Sequence, residues 1–177
     1  MKQMNKKQQV YVEVQAFRQW WLWLIVIAAA LPTAGVLFYQ LYTGAFVGDK
    51  PASNTILIIL TLLIPVPLFF GFYFAKLTTI IDSTGIEYGW NLPTSDLNFI
   101  PWGDIDSIEM IEYKFVGYGY RISSDYGIVY NTKGKQGKHI TKKDGRKILI
   151  GTTKPKALED YFDELNLQKG DFKGLQV

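Results

Sequence analysis

The sequence predicts an α+β protein in which two transmembrane helices are followed by a small antiparallel β-barrel closed by a C-terminal helix. Two observations predict the helices: residues 19–48 and 51–75 contain no charged side chain, although 20% of the 177 residues are charged. A third predicts the barrel, because residues 76–177 consist of short β-rich runs separated by turns and include one amphipathic stretch. An ordinary soluble domain does not separate its charges in this way, and neither does a disordered chain.

The two uncharged segments are long enough to cross a bilayer. A helix rises about 1.5 Å per residue, so roughly 20 apolar residues span a hydrocarbon core of about 30 Å. We expect spans at about residues 20–42 and 55–75, joined by an outer loop at residues 43–54. Pro65 and Pro67 lie inside the second span and should kink it, because proline lacks the N–H that a helix interior needs. A buried hairpin of a soluble core is disfavoured, because core helices rarely lack a polar face over such a length.

Lysine and arginine residues are distributed unequally around these spans. Three lysines and Arg18 precede the first span, whereas the loop between the spans carries only Asp49 and Lys50. Positive residues favour the cytoplasmic side of a membrane. Both termini are therefore predicted to be cytoplasmic, with the loop outside.

Aromatic residues mark both borders of the first span. Trp and Tyr favour the membrane interface because the ring lies in lipid while its polar edge reaches water. The predicted membrane-interface residues are Trp20, Trp21 and Trp23 at the inner border and Tyr39 and Tyr42 at the outer border. Neither span contains Asp, Glu, Lys, Arg or His, so no ion path or proton relay is predicted within them.

The remaining residues predict strands. Ile86, Tyr88 and Trp90 alternate with a period of two, which places all three on one face of a strand. Asp144-Gly145 lies between two further apolar runs and is a strong hairpin signal. About seven strands are predicted in this part of the chain.

A C-terminal helix completes the outline. Apolar residues from Leu158 to Leu165 recur at i, i+3, i+4 and i+7, and Pro155 suits a first turn, where its missing N–H costs nothing. About seven strands closed by one amphipathic helix are the outline of a pleckstrin-homology-like (PH-like) barrel. A lipocalin-like or OB-type barrel fits less well, because neither normally ends in such a helix.

Several short motifs carry a resemblance to known proteins. Phe17-Arg18-Gln19-Trp20-Trp21 enters the first span, and Leu77-Thr78-Thr79 leaves the second. Further motifs are Asp82 to Gly85, Pro101-Trp102-Gly103-Asp104-Ile105, Gly117-Tyr118-Gly119-Tyr120-Arg121-Ile122, Val129-Tyr130-Asn131 and Lys147-Ile148-Leu149-Ile150-Gly151-Thr152. With them the chain resembles a family of small, largely uncharacterised bacterial membrane proteins that have two N-terminal transmembrane helices and a C-terminal bacterial PH-like domain. The resemblance implies a multi-pass protein of the bacterial inner (plasma) membrane, and it implies no reaction.

The predicted organisation has three parts. Residues 1–18 form a basic cytoplasmic tail, residues 19–75 form a two-helix membrane anchor, and residues 76–177 form a cytoplasmic PH-like domain.

The charges of the predicted PH-like domain are sorted into blocks. Residues 82–125 carry eight acidic and two basic side chains, whereas residues 126–156 carry nine basic and one acidic. The predicted lipid- or partner-binding residues lie in the basic block: Lys133, Lys135, Lys138, Lys142, Lys143, Arg146 and Lys147. At a membrane they could attract anionic lipids, dock an acidic protein, or pair with the acidic block of their own domain. Phosphoinositide specificity is not implied, because the first hairpin turn, Asp82 to Gly85, has no Lys or Arg.

No catalytic residue, metal site or cofactor is predicted. The chain has no cysteine and a single histidine, which excludes a thiolate site and a multi-histidine centre. That residue, His139, is expected to be solvated. Asp104, Asp106, Glu109 and Glu112 have no organising motif beside them, so a solvated strand edge is expected there. Nucleic acid is not predicted as a partner, because the domain is neutral overall and has no accompanying motif.

The predicted function is that of a membrane-anchored, non-catalytic PH-like module that binds a protein partner or anionic lipid head groups at the cytoplasmic face. Its expected partners are membrane lipids and a membrane or cytoplasmic protein. The alternative is a structural subunit of a larger membrane complex, or a homo-oligomer, assembled through the spans. Small residues would permit close helix packing there: Ala28, Ala29, Ala30, Ala34 and Gly35.

Overall fold

The computed structural model describes residues 10–91, 96–114 and 117–169, with side chains described up to residue 165. The chain divides into two compact units. Residues 17–75 form a helical unit, and the residues before 17 together with those from 76 onward form a β unit. The fold is therefore α+β with two long apolar helical stretches, as predicted.

The helical unit contains three helices: α1 (Trp20–Thr43), α2 (Asn54–Leu63) and α3 (Pro65–Phe74). Helix α1 has 24 residues, and α2 with α3 forms a stretch of 21, so both are long and apolar enough to cross a membrane. The second stretch, in which the sequence predicts a kink, is interrupted at Ile64, between the end of α2 at Leu63 and the start of α3 at Pro65. Pro65 starts α3 because its missing N–H is not needed in a first turn.

Polar contacts join α1 to the second helical stretch and to the loop that precedes it. The hydroxyl of Thr61 donates to that of Thr33 at 3.0 Å, and Gln40 Nε2 donates to the carbonyl oxygen of Ala52 at 3.4 Å. Between apolar helices in lipid there is no hydrophobic driving force, so packing and such hydrogen bonds hold the helices together. No local sequence pattern predicts either pair.

The first sheet of the β unit is antiparallel, and its strands are adjacent in chain order. The strands are β1 (Tyr11–Ala16), β2 (Lys76–Ile81), β3 (Gly85–Asn91) and β4 (Asn98–Pro101). A single turn of 3₁₀ helix, Trp102–Asp104, connects β4 to the second sheet.

The second sheet has five strands in the order β5-β8-β9-β7-β6. They are β5 (Ile105–Glu112), β6 (Gly119–Ser123), β7 (Gly127–Asn131), β8 (Gln136–Lys142) and β9 (Lys147–Gly151), and helix α4 (Pro155–Lys169) follows. All pairs are antiparallel except β7 with β9. Gly127 permits that parallel approach, because its φ is 71° and a Cβ there would collide with the Lys147 carbonyl.

The two sheets and α4 share one hydrophobic core. It contains Leu77, Ile86 and Ile100 from the first sheet and Ile108, Ile140 and Ile150 from the second, and Leu158 and Phe162 of α4 cover it. Trp102 packs edge-on against Phe162, with 6.1 Å between ring centroids.

The predicted closed barrel is not formed. Among the strands that the structure describes, no hydrogen-bonded ladder joins one sheet to the other. At β9 the β6–β7 hairpin prevents such a ladder, because β9 pairs with β8 on one side and β7 on the other and so has no free edge for a strand of the first sheet.

Strand β1 lies within residues 1–18, where the sequence predicts a tail and no strand. Residues 11–16 pair with β2 from Tyr11↔Ile81 to Ala16↔Lys76, so they belong to the β unit. The sequence did not reveal this strand because its polarity is inverted. Glu13 and Gln15 are buried, whereas Val14 is 56% exposed.

The carboxylate of Glu13 is fully hydrogen-bonded. Its Oε2 accepts from the hydroxyls of Thr152, at 2.7 Å, and Tyr11, at 2.8 Å. Its Oε1 accepts from the backbone N–H of Thr153, at 2.8 Å, and from the Thr153 hydroxyl, at 2.7 Å. Four donors compensate for the loss of water around a buried charge.

Gln15 makes a second link from β1 to the other sheet. Its Nε2 donates to the carbonyl oxygen of Gly151 at 2.7 Å, and its Oε1 accepts from the Thr132 hydroxyl at 2.8 Å. Side chains of β1 therefore join the two sheets where no main-chain ladder does. We call these contacts of Glu13 and Gln15 the β1 clasp.

Replacing Glu13 with Ala should lower the free energy of unfolding of the β unit by about 3 kcal/mol, because it leaves buried donors without an acceptor. Chemical unfolding of the detergent-purified protein, followed by circular dichroism, measures the change. Val14→Thr is the matched control. It alters the exposed face of the same strand and should cost less than about 0.5 kcal/mol. Equal losses in the two variants would contradict a specific role of the clasp.

Candidate membrane and partner interface

The predicted membrane-interface residues lie at both ends of α1. Trp20, Trp21, Tyr39 and Tyr42 are exposed. Trp23 is half-buried and packs against Phe69 of α3, with 5.3 Å between ring centroids. Trp23 is thus used for packing between helices, and contact of the other four rings with lipid stays a prediction.

Strand β8 divides the predicted basic surface into two groups. Lys133 and Lys135 lie in the turn that precedes it, and Lys143, Arg146 and Lys147 lie beyond its other end. The seven residues of β8 span roughly 20 Å, because an antiparallel strand rises about 3.4 Å per residue. These residues therefore do not form one continuous patch.

One of these two ends is also the place where the chain leaves the β unit. Ala16, the last residue of β1, pairs with Lys76, the first residue of β2. Gln15 beside it is hydrogen-bonded to Thr132 and Gly151. The connections to the helical unit therefore start next to the turn between β7 and β8.

We call this the attachment end and define it by Ala16, Lys76 and residues 132–135 and 151–154. The distal end is defined by residues 143–147. The exposed basic side chains of the attachment end are Lys76, Lys133, Lys135 and Lys154. Among the residues that the structure describes, no ion pair joins these four lysines to a carboxylate.

At the distal end and in the last residue of β8, two basic residues have acidic partners. Arg146 Nη2 lies 2.6 Å from Asp144 Oδ2, and the backbone N–H of Arg146 donates to Asp144 Oδ1 at 3.0 Å. These hydrogen bonds lower the pKa of Asp144 to about 2. Lys142 Nζ lies 3.7 Å from Asp144 Oδ2 and 3.9 Å from Asp104 Oδ2. Lys142 and Arg146 are thus paired with acidic residues of their own domain.

Lys138 is directed toward α4. Its Nζ lies 4.4 Å from the centroid of the Phe162 ring, a cation–π contact. Burial lowers the pKa of Lys138, and nearby Glu159 and Asp163 oppose that shift. The cavity that Lys138 lines with Glu13 has a volume of about 10 Å³, which is room for one water molecule and too small for a substrate.

His139 is buried, with only 9% of its surface exposed, whereas the sequence predicts a solvated side chain. Its ring lies 6.3 Å from that of Tyr126, and Nδ1 lies 3.5 Å from Glu109 Oε1. A second apolar cluster, which includes Tyr113 and Leu149, buries this outer face of the second sheet. The continuous apolar run of β9 is the sequence signal for this burial, because a strand buried on both faces does not alternate apolar and polar residues.

The acidic residues that the sequence offers as a possible site do not come together in the structure. Asp104 lies near Lys142, while Glu109 contacts His139. In the part of the chain that the structure describes, no group of three or more His, Asp or Glu side chains could hold a metal ion.

Comparisons with known proteins give no match to a protein-family model, to a curated protein or to a solved structure. The resemblance to bacterial membrane proteins with a PH-like domain therefore stays a prediction.

Replacing Arg146 with Gln should raise the pKa of Asp144 from about 2 toward its ordinary value of 3.8. The rise should be partial, because the backbone N–H of residue 146 still donates to Asp144 Oδ1 and Lys142 remains 3.7 Å away. In the native chain the pairing stabilises the folded state above the ordinary pKa, and this contribution is lost as the pH falls through the lowered pKa. An NMR titration of the side-chain carboxyl carbon measures the shift. Arg121→Gln, at an exposed arginine on β6, is the control, and an unchanged pKa in Arg146→Gln would contradict the assignment.

Proposed function

We propose that this protein is a non-catalytic PH-like module that a helical hairpin holds at the cytoplasmic face of the bacterial inner membrane, where it binds a partner. The observation that carries the proposal is the insertion of the helical unit between two paired strands, because Ala16 and Lys76 are register partners. Residues 17–19 connect β1 to α1, and residue 75 connects α3 to β2. Two short connections at neighbouring points restrain the β unit more than a single linker would.

The pairing of β1 with β2 also supports two crossings of the membrane. Hydrogen-bonded strands lie on the same side of a bilayer, so the segment between them crosses an even number of times. The two helical stretches meet that requirement. The lysines before residue 10 and Arg18, against a single lysine in the loop, favour the cytoplasmic side for both strands.

The strand connections support the PH-like assignment. If the β6–β7 hairpin is set aside, the rest of the β unit consists of a four-stranded and a three-stranded antiparallel meander followed by a helix. These seven strands and the helix match the outline that we propose for a PH-like domain, with an additional hairpin beside β9. They are not the seven strands that the sequence predicts, which include β6 and β7 and lack β1 and β4.

Exposed apolar side chains on two edge strands support a binding role. On β6, Tyr120 is 51% exposed and Ile122 is 80% exposed, and on β4, Phe99 is 49% exposed. Large apolar side chains at sheet edges suit contact with another protein, because such contact removes them from water.

Photo-crosslinking in intact membranes tests the binding role. A benzophenone amino acid replaces Phe99 or Tyr120 in the β unit, or Phe38 on the exposed surface of α1, so that one aromatic residue replaces another. We expect discrete crosslinked products from residue 99 or 120 and none from residue 38. Products from residue 38 alone would instead favour a structural subunit assembled through its spans.

Cysteine labelling tests the orientation, and the chain has no native cysteine to interfere. We expect Asp49→Cys, in the predicted outer loop, to react with a membrane-impermeant maleimide in spheroplasts. Ser124→Cys, in the exposed turn between β6 and β7, should react only after permeabilisation. The opposite pattern would exclude a cytoplasmic β unit.

A further inference from the structure

We propose that the attachment-end lysines Lys133 and Lys135 contact anionic phospholipid head groups of the bilayer in which the chain is anchored, and that the distal basic residues do not. This inference deepens the proposed function and rests on it, because it requires a β unit held at a bilayer. It assigns a lipid contact to one part of the basic surface that the sequence presents as a single block.

The turn between β7 and β8 is held in place by hydrogen bonds. The backbone N–H of Tyr113 donates to the carbonyl oxygen of Lys135 at 2.8 Å, and that of Thr152 donates to the carbonyl oxygen of Gln136 at 2.9 Å. Gly134 has a φ of 87°, which lets the chain turn tightly between the two lysines. Lys133 and Lys135 are therefore exposed charges on an ordered turn.

Lys133 and Lys135 lie at the end of the β unit that is joined to the apolar helices, because they share that end with Ala16 and Lys76. The distal residues lie roughly 20 Å farther along β8, whereas the Debye length at physiological ionic strength is about 8 Å. Head groups in contact with Lys133 and Lys135 would therefore exert only a strongly screened attraction on the distal lysines.

The two ends also differ in how their basic side chains are paired. Among the described residues, no ion pair joins the four exposed lysines of the attachment end to a carboxylate, although Glu112 lies nearby, opposite Gln136 in the β5–β8 ladder. At the distal end Arg146 is paired with Asp144, whereas Lys143 and Lys147 are exposed. Pairing therefore neutralises one of the three distal basic side chains and, within the described residues, none of the four at the attachment end.

The use of lysine indicates contact with anionic lipids in general and not with one particular head group. Lysine acts as a flexible point charge, whereas recognition of one phosphate geometry usually uses the planar fork of arginine. The exposed basic residues of the attachment end are all lysines. We therefore expect them to distinguish anionic from zwitterionic bilayers without selecting one anionic head group.

The test uses the full chain in nanodiscs of phosphatidylcholine with or without phosphatidylglycerol, at low and physiological salt. A donor dye on Gln136→Cys reports energy transfer to acceptor dyes on lipid head groups, and Ser124→Cys carries the donor at the distal end. Each label is combined with the pair Lys133→Glu and Lys135→Glu, or with the matched distal pair Lys143→Glu and Lys147→Glu. All four lysines are exposed, and circular dichroism checks that each variant folds.

We expect energy transfer from residue 136 to be higher in anionic nanodiscs and to fall as salt is added. This increase in energy transfer should be lost when Lys133 and Lys135 are replaced and kept when Lys143 and Lys147 are replaced. Equal transfer in both lipids, or equal loss in both variant pairs, would overturn the lipid contact. Transfer that is equal in both lipids but stronger from residue 136 than from residue 124 would leave the proposed function intact. If neither label transfers energy in any lipid, the proposal of a unit held at the bilayer fails as well.

Discussion

The β1 clasp is the interaction on which the arrangement of the β unit depends. A six-residue edge strand with exposed valines has little apolar surface to bury, so it needs another source of stability. Glu13 supplies it by accepting four hydrogen bonds, three of them from Thr152 and Thr153 beyond the end of β9. The same contacts fix the position of Ala16, and so the point at which the chain enters its apolar helices.

The additional hairpin explains why side chains, and not a ladder, join the two sheets at this point. Strand β7 occupies the edge of β9 that would otherwise be open to a strand of the first sheet. Glu13 and Gln15 then reach the residues just beyond β9 with their side chains. The hairpin thus changes the closure of the sheets and, at the same time, presents Tyr120 and Ile122 at a new edge.

The basic block illustrates how sequence proximity and spatial proximity differ. Lys135 and Lys143 are eight positions apart, yet a strand between them places them at opposite ends of a sheet. The intervening Lys138 turns toward Phe162, and Arg146 is bound to Asp144. A strand carries charges apart by about 3.4 Å per residue, so a charged block that contains one cannot act as a single surface.

The sequence by itself determined the features that depend on local pattern. The bounds of α1, the break before Pro65 and the apolar stripe of α4 follow from length, proline chemistry and helical periodicity, all of which are read within one segment. Only the tertiary structure decided that residues 11–16 form a strand, that His139 is buried and that the sheets stay open. Those outcomes depend on partners up to 140 positions away, such as Thr153 for Glu13, and no local pattern records which distant donor a buried carboxylate will meet.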